Sequence, residues 1–554
     1  VSNNLPGITQ MTQSIVKLWK WVDTHFVDLA RQVRLSYLPP LLVYMAAGIS
    51  GLTGIVGAFF VKDYLGLSAE FLAMLGFWVG LPWALKMPLG HLVDLIWRWK
   101  FVLVFIGAAL IGLSLAIMLG LIGSTAFMTQ YMSVEGWYVL ATLLAPVGYV
   151  VQDVVADAMT VEAVPTVDDS GTPYDKKTIK LMHTTMQTLG RVAIVGGGIA
   201  VSCINILMFS GVSEMPEELK LGVYTSIYKM AMVIPVISVL GVILAVLLKR
   251  VRARKLRNHG IKAELFQRTD DRPGEKIQPN WWILSGSLVF VLFTLTMGLS
   301  QIPYNQEIVF AGSMAIVLFL MAKLLKELSS PARRTLMGTA LIIFVFRALP
   351  GPGAGTTWWQ IDELGFDQQF MSTLSLIGGS LALLGMFIFR RFMAEKSIAY
   401  VVGFLTIVGS ALSLPIIGMY YGLHEWTASL TTGVVDARFI AIVDTALESP
   451  LGQVAMIPML AWIANSAPSH LKATFFAVMA SFTNLALSLS NLGTKYLNRI
   501  FTVSREILDP LTDAVTVPAD YSELGILLIT VTSLGLLLPM LIILFIRKSP
   551  LRIR

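Results

Sequence analysis

FVLVFIGAALIGLSLAIMLGLI, residues 101–122, carries no ionisable side chain and is preceded by Arg98 and Lys100. Coiled as a helix rising about 1.5 Å per residue, such a run reaches across the about 30 Å of a bilayer's hydrocarbon core. A bilayer is its natural solvent. The whole chain agrees with this run, since 55% of its residues are hydrophobic and only 14% are charged, whereas an ordinary soluble domain has about 25% charged.

Comparable runs bounded by charges or Gly/Pro clusters lie at 37–61, 69–91, 137–163, 181–209 and 222–248, giving six with 101–122. The segment 249–280 follows, carrying KRVRARKLR and then DDRPGEK, whose charge and lack of apolar periodicity exclude a span. Two more runs, 281–299 and 306–325, precede a second six at 334–350, 367–389, 397–421, 437–465, 472–499 and 522–546. Six, two and six predict about fourteen transmembrane helices. The chain therefore divides into an amphipathic interfacial helix (1–36), a six-helix bundle (37–248) and a basic cytoplasmic linker (249–280). An inserted hairpin (281–333), a second six-helix bundle (334–548) and a cytoplasmic tail (549–554) complete it.

A net charge of +7 and a pI near 9.3 do not require nucleic acid. Counted from a cytoplasmic N-terminus, the basic clusters fall on the cytoplasmic side, among them Arg98, Lys100, Lys176, Lys177, the linker, Arg333, Arg334, Arg390 and Arg391. The outside loops hold far fewer, chiefly Lys62, Lys220, Lys495, Arg499 and Arg505. That asymmetry sets topology, and it predicts that both termini are cytoplasmic in a bacterial inner membrane or its equivalent. VSNNLPGITQ has neither a basic nor an apolar signal region, so no cleaved signal peptide is expected. With Cys203 the one cysteine, an intrachain disulfide or a cysteine-based metal site is excluded.

Charges inside apolar runs cost about 2.5 kcal/mol or more, so those that persist face a cavity or a partner. In GLPWALKMPLGHLVD, from Gly80, Lys86 lies near the cytoplasmic end of its run. VQDVVADAMTVE, from Val151, carries Asp153 and Asp157 one turn apart on one face, with Glu162 near the inner edge. Lys86 and Asp157 lie at similar depth, so they can pair. Two carboxylates one turn apart repel, which suits a site that takes up and releases a proton unless a cation compensates; a permanent salt-bridge network at a gate is the alternative. Arg191, near mid-membrane, needs an anion, either Asp153 or an anionic group of a solute. Arg347 is expected to meet Asp444, with Glu448 a turn deeper, as an outer gate. Trp83, three residues before Lys86, is placed to stack on a planar ligand. Gly196 to Gly198, and Gly378 with Gly379, read as close helix contacts. Pro350, Pro352, Pro450 and Pro458 should interrupt helices along a pathway.

No nucleotide loop, metal-ligand spacing or nucleophile elbow is present, so neither enzyme chemistry, a cofactor nor a bound metal is expected. The stretch FFVKDYLGLSAEFLAMLGFWVGLPWALKMPLGHLVD, from Phe59, resembles the region joining the first two helices of the folate/biopterin transporter family of the major facilitator superfamily, with Met87 ahead of Pro88. DVVADAMTVE, from Asp153, FRALPGPGAGTTWWQIDELGF, from Phe346, and LGQVAMIPMLAWIANSAPSHLKATFF, from Leu451, resemble further signatures of that family in the same order. GHLVDLIWRWK, with Gly90, Asp94 and Arg98, is similar to the superfamily's gating loop. The resemblance implies an all-α, two-bundle alternating-access fold and symport of a folate, pterin or similar polar solute with protons. The central pair resembles that of bacterial muropeptide permeases, which leaves a cell-wall fragment as another cargo and a non-transporting scaffold or pigment-assembly factor as another role.

Overall fold

The computed structural model describes residues 31–65, 67–165, 168, 172–258, 281–300, 302–326, 328–452, 454, 472–508 and 515–551. The expected amphipathic helix lies almost wholly outside the described residues, as do Pro458 and most of the basic linker.

The first six helices are α1 (Leu35–Tyr64), α2 (Ala69–Gly80, then a 3-10 turn Leu81–Leu85, then Lys86–Leu95), α3 (Lys100–Gly123), α4 (Val134–Ala163), α5 (Lys176–Met208) and α6 (Glu217–Ala231 and Val233–Asn258). The inserted pair is α7 (Trp281–Leu299) and α8 (Asn305–Leu325). The second six are α9 (Ser330–Arg347), α10 (Gln368–Ile388), α11 (Ile398–Leu412 and Leu414–Tyr420), α12 (Ala437–Glu448), α13 (Lys472–Ile500) and α14 (Leu524–Lys548). Nine helical segments among the described residues are long and apolar enough to cross a membrane on those criteria alone. Helix α6 continues to Asn258, so the start of the basic segment is a helical extension rather than a bare linker. A small antiparallel pair, β1 (Ile507–Leu508) with β2 (Val515–Val517), lies in the loop between α13 and α14.

Polar residues just ahead of the apolar runs start several of these helices. Ser68, Ser133, Asp367, Ser397 and Asp436 each accept a hydrogen bond from a backbone N–H two or three residues inside the helix. Each satisfies a donor that lipid cannot.

Small residues then bring backbones together, because lipid offers no hydrophobic drive between helices. A Cβ on Gly148 of α4 would lie 2.7 Å from the Gly107 carbonyl of α3, and one on Gly48 of α1 would lie 2.2 Å from the Ile194 carbonyl of α5. Gly197 meets α1 in the same way, whereas a Cβ on Gly196 or Gly198 would meet open space, so only the middle glycine of that triplet is a contact. Gly378 approaches Ser449 just after α12, and Gly379 approaches Ile199 across the two bundles. Buried Gln152 of α4 links three helices, donating to the Val104 carbonyl at 3.2 Å and accepting from Ser238 of α6 at 3.0 Å.

The bundles meet where α5 packs on α10 and α2 on α13. The inserted pair covers the second seam from outside, α8 lying along α13 while α7 reaches the Lys86–Leu95 segment of α2. Buried Gln306 of α8 touches both sides. Its amide donates to the Met74 carbonyl of α2 at 3.1 Å, and its carbonyl oxygen accepts from Lys495 of α13 at 3.4 Å. Lys495 also pairs with Glu307, which accepts from the Tyr496 hydroxyl at 2.6 Å.

Replacing Glu307 by glutamine keeps the shape but removes the charge facing Lys495, a buried cation. We expect a loss of about 2 kcal/mol, the scale of a hydrogen bond to a charged group, seen as a lower thermal unfolding midpoint of the purified protein. An unchanged midpoint would show that the pair contributes nothing.

Candidate functional site

Pro82 opens the 3-10 turn Leu81–Leu85, which ends immediately before Lys86 and re-aims the lower part of α2 toward α4. The Lys86 Nζ lies 2.5 Å from Asp153 Oδ2 and 2.8 Å from Asp157 Oδ2. Three charges therefore share one site. The hydroxyl of Tyr44 on α1 donates to Asp157 Oδ1 at 2.6 Å. Gly190 of α5 makes room for that ring, since a Cβ there would lie 3.0 Å from two of its carbons. The Asp157 side chain is 42% exposed against 17% for Asp153, so the cluster opens on its Asp157 side.

Arg191 on α5 acts electrostatically on both Tyr44 and Asp153 but has no ion-pair partner among the described residues. It is a partly exposed guanidinium beside the triad. Trp83 lies half-buried in the 3-10 turn, its carbonyl accepting from Asn484 of α13 at 3.0 Å. Glu162 pairs with Lys100 at 2.6 Å, and that buried ammonium also sits 3.9 Å from the centre of the Trp97 ring. Gly90 faces open space, while the side chains of Asp94 and Arg98 lie outside those described.

Among the described residues no ion pair joins Arg347 to Asp444. Helix α9 packs against α13, α14 and α11, whereas α12, which carries Asp444, packs on α10 and on α11. Asp444 has one buried carboxylate oxygen without a hydrogen-bond partner, and its nearest charged neighbour is Glu448, one turn on. Equal depth does not make helices adjacent. Trp358 and Trp359 are 2% and 4% exposed, core residues rather than interfacial ones.

At the end opposite Leu35 and Lys548, a second set of residues ties the two bundles together. Lys62 of α1 pairs with Asp362 at 2.6 Å, and Asp362 also accepts from the Tyr521 hydroxyl. Arg505 donates to the Leu65 carbonyl, and Gln368 of α10 donates to the Tyr224 hydroxyl of α6 at 2.9 Å. This distal end is closed.

Between that closure and the triad lies a cavity of about 410 Å³, walled by α1, α3, α4, α6 and the short helix Gly355–Asp362. It exists because small residues face one another, Gly54, Gly57 and Ala58 on α1 against Ala141 and Ala145 on α4. Helix breaks border it too, the 3-10 turn Ser50–Thr53 of α1 and Pro146 within α4.

Two packed helical bundles, a polar cluster between helices and closure at one end define a multi-pass membrane protein of the major facilitator type. The chain belongs to the BT1 family, whose model matches residues 47–552. It is 26% identical over 208 residues to the "Folate-biopterin transporter" of Synechocystis sp., covering 38% of each chain. It is also 26% identical over 177 residues to the "Putative folate transporter 2" of Plasmodium berghei, covering 32% of this chain and 37% of that one. The matched segments thus span less than two fifths of the curated relatives' length. Among solved structures, a POT family transporter in complex with 5-aminolevulinic acid superposes with a TM-score of 0.57 at 11% identity, covering 92% of this chain and 95% of that chain. A second POT family transporter, in complex with a thioalcohol-conjugated peptide, gives 0.56 at 10% identity over 93% and 96%. Both likenesses bear on the fold alone.

Proposed function

We propose that this protein is a secondary active transporter that carries a folate- or pterin-like polar solute together with protons by alternating access. One ammonium held between two carboxylates carries the proposal. With both aspartates ionised the cluster has a net charge of −1, and a single proton neutralises it. Asp157 is the more exposed of the two, so a proton from solvent reaches it first. Its protonation weakens the Lys86 contact and leaves the ammonium to Asp153, a local change that can bias the packing of α2 against α4. Arg191 supplies a fork for a carboxylate on the solute.

The bundles rock about the polar cluster, so each ligand acts by favouring one packing over the other. The names of the curated relatives support a folate- or biopterin-sized cargo, and the termini are taken as cytoplasmic from the basic loops. Proteoliposomes containing the full chain should accumulate folate or biopterin only under an inward proton gradient. Asp157→Asn should exchange solute across the membrane yet fail to accumulate it. Equal accumulation with and without the gradient would sink the coupling.

A further inference from the structure

The 410 Å³ cavity differs in chemistry from the triad below it. Three phenols line it, Tyr138, Tyr149 and Tyr228, together with the aliphatic hydroxyls of Ser50, Thr53, Ser114 and Thr142, and the Ser50 hydroxyl donates to the Ala47 carbonyl at 2.6 Å. Among the described residues that line it, none is acidic or basic. A hydroxyl both donates and accepts, so each can bond an N–H or a C=O of a solute. Pro146 has no N–H, which deprives the Thr142 carbonyl of its helical donor and adds a backbone acceptor at the same level. Trp358 and the phenol rings give flat apolar surfaces.

We infer that this chamber is a separate subsite for the uncharged, flat heterocyclic part of a solute, one bearing ring N–H and C=O groups. Its volume falls in the about 300–1,000 Å³ of small-molecule pockets. A charged group there would lose water without gaining a counter-charge, so an anionic tail is directed down to Arg191. Tyr149, Asp153 and Asp157 succeed one another at one-turn intervals on α4, and this single stripe joins the chamber to the triad. The inference rests on the transport proposal for its choice of ligand but not for its measurement, which is binding.

The probes are pterin, a neutral ring, and pterin-6-carboxylate, titrated against the purified full chain in detergent. Gly57→Leu fills the chamber without meeting backbone, since a Cβ at Gly57 has nothing within 4 Å. It should weaken both probes about tenfold or more. Thr142→Val removes one hydroxyl at constant shape and should weaken both about fivefold, whereas Arg191→Gln should weaken the carboxylate alone. The inference is overturned if wild type binds the carboxylate but not pterin, or if the folded chamber variants keep wild-type affinity for pterin. Thermal unfolding midpoints establish that the variants are folded, and Thr142→Val carries the test should Gly57→Leu not fold. Proton-driven uptake that survives in unaffected chamber variants would overturn the subsite and leave transport standing. Intact pterin binding with no proton-driven flux would do the reverse.

Discussion

Replacing Lys86 by methionine should abolish gradient-driven accumulation, by about a hundredfold or more, in a protein that still inserts and folds. Methionine keeps much of the apolar stem and loses the ammonium that lies within 2.8 Å of both carboxylates. Breaking a buried ion pair by removing one partner costs about 3–5 kcal/mol, solvent on the exposed Asp157 side brings that to the low end, and about 1.4 kcal/mol corresponds to a factor of ten. Without the ammonium, repulsion between two carboxylates one turn apart favours a form that keeps one proton bound. A proton that is bound throughout the cycle drives nothing. Accumulation is thus expected to fall far more than exchange of solute across a membrane without a gradient, and this contrast separates lost coupling from lost folding. Lys86→Arg should restore part of the accumulation, since a planar fork cannot sit between the two carboxylates as a point charge does. Wild-type accumulation by the methionine variant would remove the triad from the mechanism.

The triad was largely legible in the sequence because depth in a membrane can be counted from helix ends, and Lys86 and Asp157 come out level. Tyr44 was not legible. A tyrosine within PPLLVYMAAGIS looks like any aromatic in an apolar run, and only the rotation of α1 against α4 aims its hydroxyl at Asp157. Whether Arg347 pairs with Asp444 was not legible either, because α11 contacts both α9 and α12, and nothing in an apolar run tells whether two helices touch each other or a third. The runs 281–299 and 306–325 marked an extra pair of spans, but no pattern in them announces that Gln306 bridges α2 and α13. The chamber was hidden for a related reason. Gly57, Ala141 and Ala145 are ordinary small residues until two helices place them face to face. Periodicity and length report what a helix is, whereas a cavity or a tie between bundles depends on how helices are turned against one another.

Replacing Asp362 by alanine should open the distal end. Asp362 accepts from two directions, from Lys62 of the first bundle and from Tyr521 in the loop before α14, so its loss removes a tie between bundles and a tie within the second. Hydrogen bonds to charged groups are worth about 1.5–3 kcal/mol each. With the Asp362 side chain 24% exposed, solvent screening reduces that value, and about 2 kcal/mol in total shifts a two-state equilibrium roughly thirtyfold. Spin labels at Leu219 and Val434, exposed at the distal ends of the two bundles, report the separation in a Cys203→Ser background. Wild type should give mainly the short distance, and Asp362→Ala should populate a longer one. The Tyr521 phenol is pushed above its ordinary value by burial first and by its bond to Asp362 second. A raised value means its contribution is complete below the ordinary phenol range and is lost only as pH climbs past the raised one, so this tie should hold unchanged between pH 5 and 9. The Tyr521 phenol therefore does not drive an opening of the distal end within that window. An unaltered distance distribution in Asp362→Ala would mean that the Arg505 and Gln368 contacts suffice to keep the bundles closed.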